Sequence, residues 1–206
     1  MVRMLLIVII AALLAAFAVY SNNNRPPVQT QATSTPTTTE STAGNPVAYQ
    51  NDALHFTMMY PERAEKRNTF DGFLPLTRTS VVGFSLPKDL FQGTNLSEAG
   101  VFVGATSTPN IVDNCLQPAA ASNEATSSVT TFNGTIWNVY RSTGAAAGNI
   151  YDETAYRTVH GKYCFEVVEL LHSGTIANYP AGSVTQFDMA KFSDILESIV
   201  QTFSFQ

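Results

Sequence analysis

Charge is what this sequence has least of. Only 13% of its 206 residues are Asp, Glu, Lys or Arg, about half the share usual in a soluble domain. Two stretches cause the deficit. Residues 4–20 carry no charge, and residues 21–45 are polar yet hold only Arg25 and Glu40. Of 11 cations and 16 acids, two and one precede residue 46, which leaves 9 against 15 in the remaining 161 residues. A mildly acidic body without clustered Lys and Arg has no electrostatic footprint for nucleic acid. The same sign works against docking on an anionic bilayer by charge.

Motifs of chemistry are also missing. There is no GxSxG elbow, no HExxH, no GxxxxGK[ST] loop and no GxGxxG after a strand. The three histidines (His55, His160, His172) are scattered, and two cysteines far apart make neither a CxxC redox pair nor an unaided zinc site. No catalytic residue, cofactor or metal ligand is assigned.

What is present begins with an export signal. Met4 to Tyr20 reads MLLIVIIAALLAAFAVY, without charge, Pro or Gly. As a helix it spans roughly 25 Å, the short end of a bilayer crossing, and a snorkelling Arg3 extends it. A core helix would keep a polar stripe. Two readings stay open for residues 1–20. One is a signal peptide cut after Ala18, since Ala16-Phe17-Ala18 is a small-x-small site; the other is an uncleaved signal anchor. The run exceeds the usual h-region of about 7–15 residues, which favours the anchor. With Arg3 and the amino terminus inside, the C-terminal side is placed outside. A lipoprotein would need a Cys after the apolar run and a type IV pilin a Glu within it; both are lacking.

Residues 21–45 read SNNNRPPVQTQATSTPTTTESTAGN. Such a tract cannot bury enough apolar surface to offset its ordering entropy, so a flexible spacer is expected, stiffened at Pro26-Pro27. O-glycosylation of a Thr/Ser/Pro stalk is the alternative.

Residues 46–206 are read as one extracytoplasmic domain. Val47 to Pro61 alternates and reads as a strand ended by Tyr60-Pro61. Thr79–Leu86 and Ala99–Thr106 are further strands, and Pro109–Leu116 a short helix. Asn133-Gly134 sits between two β-rich runs in Ser128–Arg141, a strong hairpin signal. Gly144 to Gly148 is a small-residue loop, a hairpin connection or a mobile lid. Ile150–Val159 pairs with Tyr163–Leu171 around His160-Gly161-Lys162, and the returning strand, apolar on both faces, is central. Phe192, Ile195, Leu196, Ile199 and Val200 recur at helical spacing within Met189–Gln201. Thr202 to Phe205 returns as a short strand. The fold class is α+β, an antiparallel sheet built from hairpins with the C-terminal amphipathic helix packed on one face.

Cys115 and Cys164 read as a disulfide in an oxidising compartment. Asp152 and Glu153 point to opposite faces of a strand, as do Glu166 and Glu169. Glu169 shares its face with Phe165, Val167 and Leu171; if buried it needs a partner, Arg157 or Arg141. Trp137, Tyr151, Tyr156 and Glu169 form a possible ligand groove, although aromatics in strands are more often core. Asn95-Leu-Ser97 and Asn133-Gly-Thr135 match the N-glycosylation pattern.

His55-Phe56-Thr57-Met58-Met59-Tyr60-Pro61, with Met189–Gln201 running into Thr202-Phe203-Ser204-Phe205, resembles the opening strand and closing helix-to-strand of the PsbP-like fold. That fold occurs in extrinsic photosystem proteins and exported bacterial proteins. The middle of the chain resembles small anchored bacterial proteins of unknown function. The resemblance implies a non-catalytic binding or assembly role.

Three functions follow as expectations. The first is a non-catalytic, membrane-tethered binding or accessory module, its partners the membrane through residues 1–20 and a protein of the cell envelope. The second is an extracytoplasmic hydrolase using Asp152, Glu169 and His160. The third is a subunit of a surface assembly using an exposed sheet edge.

Overall fold

The computed structural model describes residues 43–70, 73–119 and 123–206. The export segment and residues 21–42 of the tether lie outside them. Among the described residues no helix is long and apolar enough to cross a membrane.

The chain runs through β1 (Pro46–Asn51), β2 (Phe56–Pro61), β3 (Glu65–Arg67), β4 (Ser80–Ser85), β5 (Leu96–Thr106) and α1 (Pro109–Asp113). Then come β6 (Ala125–Phe132), β7 (Thr135–Ala146), β8 (Asn149–His160), β9 (Tyr163–Gly174), α2 (Met189–Val200) and β10 (Ser204–Phe205). Seven strands form one sheet in the order β3-β4-β5-β9-β8-β7-β6, and β1-β2-β10 form a second. Every strand pairing is antiparallel. The α+β class and the helix on the sheet are as expected. The second sheet is not: the pattern of residues 47–61 predicts one strand, but the chain turns back at residues 52–55, with His55 at φ 52°. Alternation in Leu54, Phe56 and Met58 continues across that turn, which hides it.

Turn chemistry sets the register of the long strands. Asn133 and Gly134 adopt φ 48° and 75°, the pair of left-handed residues that a type I′ hairpin needs. The next turn is shorter than read. β7 continues to Ala146, so the small-residue stretch is mostly strand and only Ala147-Gly148 turns. The third turn is Gly161-Lys162; His160 pairs with Tyr163 as the last rung of the ladder. β9 is central, flanked by β5 and β8.

Strand alternation gives the large sheet two unlike faces. The helix face presents rows such as Val139–Tyr156–Val167–Val103 across β7, β8, β9 and β5. Phe192, Leu196, Ile199 and Val200 of α2 pack on it, with Phe56 and Met58 of the small sheet and Phe203. Asp188 caps α2 by accepting from the Lys191 N–H at 3.0 Å, which satisfies an otherwise orphaned donor. The Asn133 side chain donates to the Gln201 and Phe203 carbonyls at 2.8 and 2.9 Å, tying the β6–β7 hairpin to the end of α2.

The loop face is covered by segments rather than elements. Phe70, Phe73 and Leu74 lie over Phe102, Val168 and Leu170. The disulfide Cys115–Cys164 (S–S 2.09 Å, Cα–Cα 5.6 Å) fastens the stretch after α1 to β9. The cysteine pairing read from the sequence is thus present.

Candidate functional site

Each face of the sheet buries one glutamate of β9, and their surroundings differ. On the loop face, Glu166 is fully buried opposite Arg157, itself fully buried. Arg157 Nε donates to Glu166 Oε1 at 2.8 Å. The carboxylate also accepts from the Leu76 N–H at 3.2 Å, the Thr77 N–H at 2.8 Å and the Thr77 hydroxyl at 3.0 Å. Arg157 Nη1 donates to Glu124 Oε2 at 2.9 Å and to the Gln117 carbonyl at 3.1 Å, Nη2 bonds Glu124 Oε1, and the guanidinium lies 4.6 Å from the Tyr140 ring. Burial works against the Arg157 charge, but the bonds with Glu124 and Glu166 outweigh it.

Gly104, paired with Glu166 in β5, makes this network possible. A Cβ there would sit 2.3 Å from Thr77 Oγ1 and 2.6 Å from a Leu74 methyl. The bare backbone lets the 73–79 segment drop onto the carboxylate. Every group here is occupied, so the network is structural.

On the helix face, Glu169 is 7% exposed, and Oε1 accepts from the Tyr156 hydroxyl at 2.9 Å. Its other oxygen has no hydrogen-bond partner among the described residues. Burial raises its pKa to about 8, a rise that the Tyr156 bond opposes, Glu197 adds to and Arg141 opposes. Burial likewise raises that of Tyr156, with Glu169 next. The expected partner for Glu169 was an arginine. Arg157 is on the other face, bound to Glu166. Arg141 is on the same face, two strands away in the row Arg141–Thr154–Glu169, without a hydrogen bond to it.

That row and the next, Thr143–Asp152–Leu171, form the floor of a cleft of about 260 Å³ beneath α2. Met189, Ser193 and Leu196 of α2 roof it. The Thr143 hydroxyl donates to Asp152 Oδ1 at 2.7 Å. Arg141, exposed, has no hydrogen bond or ion pair among the described residues. One buried carboxylate with a spare oxygen, a second carboxylate, a guanidinium and hydroxyls thus converge on one concave surface, with an apolar flank. This is the general form of a small-ligand site.

The four residues of the expected groove are not brought together. Trp137 is fully buried in the core, stacked on Phe132 at 5.0 Å and edge-on to Phe203 at 5.2 Å, and its indole N–H has no partner among the described residues. Tyr156 is buried beneath the cleft as the support of Glu169. Tyr151 is on the opposite face, stacked on His172 at 4.4 Å. Of the four, Glu169 alone lines the cleft. Asp152 joins it there; His160 does not. The His160 ring stacks on Phe205 at 3.8 Å, six residues along β8 from Thr154, roughly 20 Å at strand rise.

A larger groove of about 340 Å³ lies between β3 and the Lys88–Phe91 turn. Its Arg67 pairs with Glu98 at 2.9 Å and Glu65 at 3.3 Å, and Arg63 with Asp89 at 2.5 Å. With those arginines already matched, it is the poorer candidate. Among the described residues no group of three His, Cys, Asp or Glu is arranged to hold a metal ion.

No protein-family model matches the chain, and no curated protein matches it. Among solved structures, the solution structure of cyanobacterial PsbP (CyanoP) from Synechocystis sp. PCC 6803 is similar at a TM-score of 0.49 and 8% identity, over 79% of this chain and 94% of that one. A crystal structure from Bacteroides thetaiotaomicron VPI-5482 is similar at 0.42 and 15% identity, over 77% of this chain and 48% of that one, so the chain spans about half its length. The likeness to the PsbP-like fold is a weak one of fold alone, and no ligand or activity follows from it.

Proposed function

We propose that the chain is an exported, non-catalytic binding module whose ligand seat is the cleft beneath α2. Residues 1–20 hold it at the membrane, or are cleaved and release it. The disulfide supports an oxidising compartment. The observation that carries the binding role is Glu169, a carboxyl nine-tenths buried with one oxygen unmatched, at the floor of a concave surface. That oxygen opens to the cleft, where a ligand donor can take the place of water.

The test is a thermal-shift screen of the full-length chain against small polar metabolites, beside Ser193→Trp, which fills the cleft from α2. At least one chemical class should raise the melting temperature of the wild type and not of the variant. A screen in which the two proteins respond alike removes the proposal.

A hydrolytic reading is favoured by one observation, that Asp152 and Glu169 line the same cleft. It differs in outcome: generic glycoside or ester substrates would be turned over, and Asp152→Asn would abolish turnover while leaving the melting temperature within a few degrees.

A further inference from the structure

The charges around the cleft are of both signs, and their placement says more than that something polar binds. Arg141, Thr154 and Glu169 lie in one cross-strand row on β7, β8 and β9. Neighbouring strands are roughly 4.8 Å apart, so the guanidinium and the buried carboxylate stem from backbone points roughly 10 Å apart. Asp152, in the next row, flanks the same space. Arg141 and Glu169 flank Thr154 in that row, yet no Arg141–Glu169 hydrogen bond or ion pair forms. Each group therefore keeps free valence toward the cleft. Arg141 can offer a bidentate fork to a carboxylate, and Glu169 and Asp152 can accept from an ammonium. Leu171, Leu196 and Met189 supply an apolar wall between helix and sheet.

Resting on the binding role argued above, we propose that the ligand is a small zwitterionic aminocarboxylate, with its carboxylate on Arg141, its amino group on Glu169 and Asp152, and its carbon chain against the apolar wall. The cleft volume, about 260 Å³, suits one amino acid and excludes a folded peptide. Both α-amino acids and linear ω-amino acids have this chemistry.

Uptake is tied to a proton. The groups facing Glu169 are Tyr156 and Asp152 on β8, Arg141 on β7 and Glu197 on α2; β5 contributes only Val101 opposite. With its pKa near 8, Glu169 is mostly protonated at pH 7. An incoming ammonium converts it to the carboxylate and releases that proton to solvent.

The experiment is titration calorimetry of the full-length chain at pH 7. The probes are L-leucine and 5-aminopentanoate, with butylamine, butyrate and N-acetyl-leucine as half-ligands. The expected result is binding of at least one zwitterion, tighter than every half-ligand by tenfold or more. Arg141→Ala should remove that preference, and Glu169→Gln should weaken the zwitterion at least tenfold and cancel the dependence of the measured heat on buffer ionisation. Equal binding of half-ligands, or an unchanged preference in Arg141→Ala, overturns the proposal. The Ser193→Trp protein separates a wrong ligand class from a wrong site. A neutral metabolite that binds wild type and not this variant overturns the zwitterion and leaves the cleft as a binding site. No binding of any compound overturns both. Near-ultraviolet dichroism of each variant, compared with wild type, establishes that the fold is retained.

Discussion

Glu166 and Glu169 are the same residue on the same strand, three positions apart, both buried, and they meet opposite fates. Glu166 accepts hydrogen bonds from Arg157, Leu76 and Thr77. Glu169 accepts one, from Tyr156. The difference lies in what covers each face. Irregular segments cover the loop face, and irregular backbone has spare N–H groups to aim at a carboxylate. A helix covers the other face, and a helix spends its N–H groups internally. A buried acid beneath a helix therefore finds side-chain partners or none. The pair teaches that burial alone does not distinguish a structural acid from one available to a ligand; the count of donors does.

The same substitution at both sites breaks or sharpens this contrast. Glu166→Gln leaves Arg157 one counter-ion short and sets an amide NH2 against the donors of Leu76 and Thr77. We expect a loss of about 3–5 kcal/mol, the range for breaking a buried ion pair. Glu169→Gln keeps an acceptor for Tyr156 and removes an acid whose ionisation the fold opposes, so it should lose no stability at pH 7. Urea unfolding of both proteins gives the comparison directly, and equal losses would erase it.

Next in size is the disulfide, whose Cys164 sits two rungs from the Arg157–Glu166 pair on the same face. Replacing Cys115 and Cys164 by Ser releases a loop of 49 residues. This is worth up to about 4 kcal/mol in the chain-entropy model. Hydrogen exchange should quicken in residues 107–117, on the loop face, well before it does in α2. Uniform quickening would mean that the two faces are not energetically separate.

The smallest effect is set by pH and belongs to the helix face. Glu169 titrates near 8 in the fold against 4.5 ordinarily, so the folded chain holds a proton that the unfolded chain has released. Its contribution is complete below about pH 4.5 and is lost as pH rises through 8. Wild-type stability should fall by about 2 kcal/mol between pH 6 and 8. In Glu169→Gln the slope should shrink without vanishing, because burial also raises Glu153. A slope equal to that of wild type would show that Glu169 is not the group responsible.

Much of the frame was legible in the sequence. Asn133-Gly134, the helical spacing of Phe192, Leu196 and Ile199, and the cysteine pair each have a local or compartmental cause that a sequence displays. What failed depended on register. Reading His160-Gly161-Lys162 as the turn, rather than Gly161-Lys162 alone, leaves the rung Arg157–Glu166 unseen, and with it the network. β3 is three residues long, too short to show alternation. Glu169 stood out as an acid on an apolar face, but its partner is a tyrosine, because Arg157 points the other way. Thr154 and Ser193 carry no signal of their own; they matter only once α2 is laid over β9, beside β8.

Asn95 bears on the choice of production host. It heads an Asn-Leu-Ser tripeptide, yet it is 2% exposed. Its amide donates to the Gly174 carbonyl at 2.7 Å, and its oxygen accepts from the Phe187 N–H at 2.9 Å. An oligosaccharide added there during synthesis would arrive before the fold could enclose the side chain. It would then stand where the end of β9 meets the entry to α2. A yeast or mammalian secretory line that modifies this tripeptide would yield a chain unable to close. Asn95→Asp would not rescue it, since a carboxylate cannot donate to Gly174. A production host that leaves this tripeptide unmodified keeps Asn95 free to make both bonds.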